Sequence, residues 1–167
     1  YLESLGREIH AAAEGLRQNP RRIRTVYIGG GTPTTLSARE LTWLLNTLHR
    51  EFDLSHCLEF TVEAGRPDTL DPEKLLAIRQ GGATRISINP QTMDDRVLAI
   101  MGRSHTSADI LRAYQQALEA GHRDINMDLI AGLPGDTPAG FQHTMEQVLS
   151  LSPSNITVHT LALKKAA

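Results

Sequence analysis

Three consecutive glycines, Gly29 to Gly31, followed by Thr32 and Pro33, form the segment best suited to hold a ligand. They follow an extended run that ends at Ile28. Glycines after a strand let a ligand approach the backbone, and the exposed N–H groups can bind an anion or a carboxylate. The same residues could instead form only a tight turn. Neither the dinucleotide-binding nor the phosphate-loop glycine pattern is present, which excludes a standard nucleotide clamp.

Two carboxylates and one arginine are further candidates for binding or acid–base chemistry. Glu63 ends the second extended run, Asp128 lies within the fourth, and Arg103 occupies a break between two helical patterns. Paired carboxylates can act as general acid and base, or can bind ribose hydroxyls or an ammonium group. Arginine can hold a carboxylate through two parallel hydrogen bonds. The alternatives are an ion pair of either carboxylate with Arg85 or Arg103, and a solvated loop position for Arg103.

The positions of the histidines and the single cysteine predict no metal site in this sequence. The seven histidines are scattered, and none lies at ligand spacing from His105, which we expect to be a loop or capping residue. His159 is expected on a polar strand face, where its ring either makes hydrogen bonds within the protein or contacts a substrate. Cys57 is the single cysteine, which excludes an internal disulfide and any cluster held by several thiolates of this chain. We expect Cys57 to be buried and inert at the amino end of a strand.

Regularly alternating elements must position these residues. Apolar residues at helical spacing predict helices, and short extended runs between them predict strands, in the order α-βα-βα-βαα-βα-β. A capping box of Ser37 and Glu40 begins one helix, and Asp71 with Pro72 begins the next. Helices between strands supply the crossovers that parallel strands need, which predicts an α/β sheet. The five predicted strands are Arg24–Ile28, Leu58–Glu63, Arg85–Asn89, Asp124–Ile130 and Ile156–Leu161.

One face of each predicted strand is apolar and the other is polar. In the second strand, for example, Leu58, Phe60 and Val62 alternate with polar residues. A flat sheet covered by helices on both faces would be apolar throughout. We therefore predict a curved sheet with helices outside and a polar interior, part of a small open barrel, rather than an open sheet with one solvated face. No linker divides residues 1–167, which predicts one structural unit, with its site at the carboxyl ends of the strands.

Composition excludes several classes of function. The 167 residues carry 17 basic and 19 acidic side chains, so no basic surface for nucleic acid is expected. Aromatic residues make up 4% of the chain, too few for a base-stacking platform. There is no signal peptide and no apolar run near the length of a membrane span, so we expect a cytoplasmic protein without a membrane partner.

Five motifs follow one another along the chain. They are YIGGGTPT (Tyr27–Thr34), TVEA (Thr61–Ala64), SINPQ (Ser87–Gln91), GRSHT (Gly102–Thr106) and NMDLIAGLPG (Asn126–Gly135). Together they resemble the radical S-adenosylmethionine (SAM) enzymes of the oxygen-independent coproporphyrinogen III oxidase family. The SINPQ motif and the segment from Thr157 to Lys164 most resemble its HemZ-type coproporphyrinogen dehydrogenase branch. The resemblance extends from about Arg24 to Lys164, and five ordered motifs are far more specific than any one alone.

The resemblance implies an open (β/α)6-type, TIM-barrel-like fold, a SAM cofactor, a [4Fe-4S] cluster and a tetrapyrrole substrate. In the family reaction a propionate side chain of the substrate loses a hydrogen and then carbon dioxide, which leaves a vinyl group. Neither a catalytic residue nor the electron donor is identified. By resemblance Gly30, Gly31 and Thr32 hold the methionine end of SAM, and the other cofactor-site positions are Glu63, Gln91, Arg103, Asp128 and Ala162.

The chain departs from the family at the cluster. Family members bind it through a Cys-x3-Cys-x2-Cys loop after the first strand; this loop is absent, and Cys57 cannot replace it. We therefore expect a fragment of a longer enzyme that lacks the first strand, holds no cluster and has no radical activity of its own. We also expect the unpaired sheet edge beside Val26 to favour a dimer.

Two other functions stay open. Relatives with the same barrel are thought to bind haem, so a haem or porphyrin carrier is one alternative to the enzyme. The glycine loop would also suit an unrelated β/α-barrel enzyme that uses it to hold a phosphate.

Overall fold

The computed structural model describes residues 1–19 and 21–162, and within them five parallel strands form one sheet in the order β1-β2-β3-β4-β5. This confirms the predicted parallel α/β architecture and its five strands. The strands are β1 (Thr25–Ile28), β2 (Glu59–Gly65), β3 (Arg85–Gln91), β4 (Asp124–Ala131) and β5 (Asn155–Thr160). The helices are α1 (Leu2–Gln18), α2 (Ala38–Glu51), α3 (Pro72–Gln80), α4 (Asp95–Ile100), α5 (Ser107–Glu119) and α6 (Pro138–Ser150). Two 3-10 turns, Pro33–Thr35 and Pro67–Thr69, follow β1 and β2.

The core lies between the apolar face of the sheet and the helices α2 to α6. Burying these aliphatic side chains supplies the main driving force for folding, at roughly 25 cal/mol per Å² of apolar surface. The strands contribute Phe60, Val62, Ile86, Ile88, Ile125, Met127 and Leu129, and the helices Leu41, Leu45, Leu75, Ile78, Leu98, Ile110, Tyr114 and Val148.

The opposite face of the sheet is polar, as predicted, but its centre is drier than a solvated barrel interior. Thr61, Ser87 and Asn126 are each only 3–4% exposed. Hydrogen bonds satisfy them: Asn126 Nδ2 donates to Ser87 Oγ at 2.8 Å, and Thr61 Oγ1 donates to Glu59 Oε1 at 2.8 Å. The polar face is therefore a packed hydrogen-bonded layer, as buried polar groups require.

The predicted helix starts are confirmed in atomic detail. Ser37 Oγ accepts from the Glu40 backbone N–H, and Glu40 Oε2 accepts from the Ser37 backbone N–H at 2.8 Å, a complete capping box. Asp71 Oδ1 accepts from the Lys74 backbone N–H at 2.8 Å, and Pro72 occupies the first turn of α3. Each cap satisfies N–H groups that a helix leaves free at its amino end.

β2 and β3 extend two residues beyond their predicted ends and β4 extends one, and β2 and β3 each contain a bulge near the carboxyl end. The register between β2 and β3 shifts between Glu63 and Gly65, and that between β3 and β4 shifts between Ile88 and Gln91. The second shift leaves Pro90 outside the ladder of paired residues, where its missing N–H costs no hydrogen bond. β3 therefore continues past Pro90 to Gln91, beyond its predicted end at Asn89.

Two predictions at the amino end of β2 are wrong. Leu58 lies outside the strand and is 68% exposed, rather than on the apolar face. Cys57 is half-buried rather than buried, and its Sγ donates to the Glu59 carbonyl at 3.3 Å. Both residues belong to the turn that leads into the strand, where alternation has not yet begun.

β1 and β5 form the two edges of the described sheet, and no described strand pairs with the outer edge of β1. Among the described helices, none combines the length and the apolar character needed to cross a bilayer.

Candidate functional site

Two of the three glycines in the loop after β1 are needed for different physical reasons. At Gly29 an added Cβ would collide with the Tyr27 ring and come within 3.1 Å of the Glu63 carboxyl carbon. Gly30 has φ +110°, which favours glycine. Added Cβ atoms at Gly30 and Gly31 would meet nothing within 4 Å. The loop therefore leaves open space beside its backbone, where a ligand can approach.

Side chains that the sequence interpretation missed hold this loop in place. Thr34 is fully buried, and its Oγ1 donates to the Ala64 carbonyl at 2.9 Å. Lys74 on α3 donates from Nζ to the carbonyls of Thr34 and Thr69, both at 2.9 Å. The loop after β1 is thus tied to the loop after β2. In the sequence, Lys74 has the pattern of an ordinary lysine on a helix surface. That pattern does not predict the contact, because the contact depends on residues that are distant in sequence.

Glu63 lies on the polar face of β2, where its contact is with Tyr27. The Tyr27 hydroxyl donates to Glu63 Oε1. The pKa of Tyr27 is raised to about 12, first by burial and then by the hydrogen bond and charge of Glu63. The phenol is therefore a neutral donor at physiological pH. Tyr27 was not among the predicted site residues, although its place on the polar face directly before the glycines was a usable signal.

Asp128 on β4 lies in a network of neutral donors. Its Oδ1 accepts from Asn126 Nδ2 at 2.6 Å, and its Oδ2 accepts from Ser87 Oγ at 3.3 Å. Asn126 in turn accepts from Asn155 Nδ2 at 2.5 Å, which extends the network to β5. Neutral donors fix the carboxylate without cancelling its charge, so it can still attract a cationic or hydroxyl group.

Gln91 and Arg103 are the two predicted site residues that contact each other directly. Arg103 Nε donates to Gln91 Oε1 at 3.0 Å, which links the loop between α4 and α5 to the end of β3. Within the described chain its terminal guanidinium nitrogens have no hydrogen-bond or ion-pair partner. Burial, together with the like charge of Arg66, lowers the pKa of Arg103. An anion bound here would therefore stabilise the charged guanidinium.

The loop that carries Arg103 is fastened to the loop after β2. Ser104 Oγ donates to Asp68 Oδ2 at 2.9 Å, and His105 Nδ1 lies 3.7 Å from Asp68 Oδ1. His105 is the predicted loop residue before the helix cap, but it is only 4% exposed and neither ring nitrogen has a hydrogen-bond partner. Burial lowers its pKa, so the imidazole is neutral near pH 7.

The predicted site residues lie along one end and the polar face of the sheet. Gly30, Gly31 and Thr32 follow β1, Glu63 and Asp128 project from β2 and β4, and Ala162 follows β5 with an exposed side chain. Ala162 has no described side-chain contact to the others, and its role stays a prediction.

The ion pairs offered as an alternative for the two carboxylates do not form. Arg85 instead lies 3.3 Å from Glu59 Oε2 and 3.8 Å from Asp124 Oδ1, at the amino ends of the strands. His159 is exposed on β5 and lines a polar cleft of about 260 Å³ on the polar face of the sheet. This cleft also borders Tyr27 and Asp128. The carboxylates therefore remain available to a ligand.

A metal site is not evident in the described part of the chain, where no group of three or more histidine, cysteine, aspartate or glutamate side chains could hold an ion. Cys57 precedes the amino end of β2, the opposite end of that strand from the glycine loop. The residues present do not fit a cluster that needs three thiolates.

Comparison with known proteins shows which family the chain belongs to. Residues 6–148 match the model of the Radical SAM superfamily. The chain is 40% identical over its whole length to the oxygen-independent coproporphyrinogen-III oxidase-like protein HemZ of Bacillus subtilis, of which it covers 34%. It is 38% identical to the heme chaperone HemW of the same organism, over 85% of this chain and 38% of that protein.

A solved structure confirms the barrel-type fold. Coproporphyrinogen III oxidase (HemN) from Escherichia coli, a radical SAM enzyme, superposes with a TM-score of 0.85 at 30% identity. The match covers 97% of this chain and 37% of HemN. The chain thus spans little more than a third of the proteins that it matches here.

Proposed function

Because this chain belongs to the Radical SAM superfamily, we propose that it forms the SAM-binding part of an oxidoreductase that acts on a porphyrin precursor. The observation that carries the proposal is the Arg103 guanidinium, anchored through Nε to Gln91 with its terminal nitrogens unpaired among the described residues. An arginine held in this way suits the carboxylate of an amino acid. The open space at Gly30 and Gly31 supports the same ligand.

We assign each part of the site a role toward SAM. The backbone of the glycine loop meets the amino-acid end, and Arg103 pairs with its carboxylate. Glu63 and Asp128 accept hydrogen bonds from ribose hydroxyls or from the ammonium group. Bound SAM, together with a reduced cluster, would supply the radical that removes a hydrogen from a substrate propionate. The cluster has no ligands in this sequence, since Cys57 is its single cysteine.

Calorimetric titration of the protein with SAM tests the proposal. We expect Arg103→Ala and Asp128→Ala each to weaken binding about ten- to hundredfold, because each removes hydrogen bonds that involve a charged group. Arg39→Ala is the matched control, since Arg39 lies exposed on α2, outside the site, and should bind as the unsubstituted protein does. Unchanged affinity in both site variants would refute the assignment.

A haem or porphyrin carrier is the second candidate, and the 38% identity to the heme chaperone HemW favours it. Haem titration by absorbance and a decarboxylation assay on coproporphyrinogen, both with the full-length protein, separate the two functions. Haem binding without decarboxylation would identify a carrier. Family membership excludes the alternative of an unrelated β/α-barrel enzyme.

A further inference from the structure

Tyr27 is the side chain around which this inference is built. It lies on β1, on the polar face of the sheet, and is 61% exposed. Its ring covers Gly29, where no side chain would fit, and its hydroxyl donates to Glu63 Oε1. The first glycine of the loop therefore makes room for a contact between β1 and β2.

Tyr27 also stands between two cavities. One is an apolar groove of about 580 Å³ bordered by α1, β1, α2 and the glycine loop. The other is the polar cleft of about 260 Å³, which Asp128 and His159 also line. Tyr27 is the residue common to both linings. A ligand that lies beside the glycine loop and reaches toward the polar face would pass next to this ring.

The Tyr27 hydroxyl forms a hydrogen bond with one of the two carboxylate oxygens of Glu63. In the described part of the chain, Oε2 of Glu63 has no hydrogen-bond partner, while Oε1 accepts from Tyr27. A carboxylate has about four acceptor sites, so one fixed oxygen leaves capacity for further donors. Because Tyr27 stays protonated at physiological pH, it acts only as the donor in this pair.

We propose that Tyr27 is a positioning residue of the cofactor site, whose hydroxyl orients Glu63 so that the second carboxylate oxygen binds a hydroxyl or ammonium group of the ligand. This inference rests on the proposed function, because it takes the ligand to be SAM. Tyr27 acts through Glu63 and touches no reacting atom. The ring and the hydroxyl have separable roles: the ring packs on Gly29, and the hydroxyl fixes the carboxylate.

The test is a double-mutant cycle on SAM affinity, measured calorimetrically with the full-length protein and the variants Tyr27→Phe, Glu63→Gln and the pair together. We expect Tyr27→Phe to weaken binding about five- to tenfold, less than the loss of a direct hydrogen bond between a charged group and the ligand, because the hydroxyl contributes only by orienting Glu63. In the pair, the loss should be no greater than that of Glu63→Gln alone, because the hydroxyl acts only through the carboxylate. Additive losses would overturn the positioning role, since a merely structural contribution of Tyr27 would add to that of Glu63.

Tyr114→Phe is the matched control. Its hydroxyl donates to the Leu151 carbonyl at 3.0 Å in the core, so its loss should lower the melting temperature and leave SAM affinity unchanged. Equal affinity of Tyr27→Phe and the unsubstituted protein would overturn this inference alone. Absence of SAM binding by the unsubstituted protein would overturn the proposed function, and this inference with it.

Discussion

Lys74 offers a sharp test of how the glycine loop is held. Its side chain is 17% exposed, and its ammonium donates to the carbonyls of Thr34 and Thr69, each at 2.9 Å. Asp71 Oδ2 is also near, at 3.6 Å, but its side chain is 47% exposed and adds little. We therefore expect Lys74→Met, which nearly keeps the length of the side chain and removes the N–H donors of the ammonium group, to loosen the loop.

The expected loss follows from the two carbonyl bonds. A hydrogen bond to a charged group contributes about 1.5–3 kcal/mol. The Thr34 carbonyl belongs to a fully buried residue and regains little water, whereas that of Thr69 is half-buried and regains more. We expect Lys74→Met to lower the free energy of unfolding by about 3 kcal/mol in all. For a chain of this size the melting temperature should fall by roughly 6–12 °C.

Urea denaturation measures the stability, and amide hydrogen exchange reports on the loop. The Thr35 amide, which donates to the Thr32 carbonyl at 2.9 Å, should exchange faster in the variant. Arg39→Met is the control, because Arg39 is exposed on α2 and its replacement should change stability by less than about 0.5 kcal/mol. A similarly small change in Lys74→Met, with unchanged exchange at Thr35, would refute the reasoning.

Three further predictions concern the whole chain. Burial lowers the pKa of His105 and His122 below 6.5, so unfolding takes up protons, and the free energy of unfolding should fall as the pH drops below that value. Replacing both by glutamine should flatten this dependence in urea denaturation at several pH values; an unchanged slope would contradict it. Anaerobic reconstitution of the 167-residue chain with iron and sulfide should give no cluster absorbance, and a stoichiometric brown cluster would overturn that expectation. The outer edge of β1 should make this chain self-associate in light scattering as concentration rises, which a strict monomer would disprove.

Local signals predicted the elements well, because the determining residues are neighbours in sequence. The capping box at Ser37 needs only Glu40, and the start of α3 needs only Asp71 and Pro72. Alternation within strands predicted which face is apolar. Leu58 was assigned wrongly because alternation alone does not show where pairing begins.

The candidate site was less predictable, because its contacts join residues far apart in sequence. The hydroxyl of Tyr27 and the ammonium of Lys74 reach partners that lie 36 and 40 residues away. Their patterns in sequence are those of an ordinary strand residue and a helix-surface lysine. Motif resemblance supplied the positions Gln91 and Arg103, whose 3.0 Å contact neither periodicity nor spacing predicts.

The bulges in β2 and β3 have a consequence for how the protein can change during evolution. Each inserts one extra residue relative to the neighbouring strand, so residues beyond it are out of phase with the alternation before it. In β3, Ile86 and Ile88 before the bulge pack in the core, whereas Gln91 beyond it contacts Arg103 in the candidate site, so the two parts of the strand meet different requirements. A lineage could remodel its specificity at the carboxyl ends without disturbing Val62 or Ile86. Removing one residue at a bulge would instead move every residue beyond it to the opposite face of the sheet. A single deletion there would therefore be harder to tolerate than several substitutions.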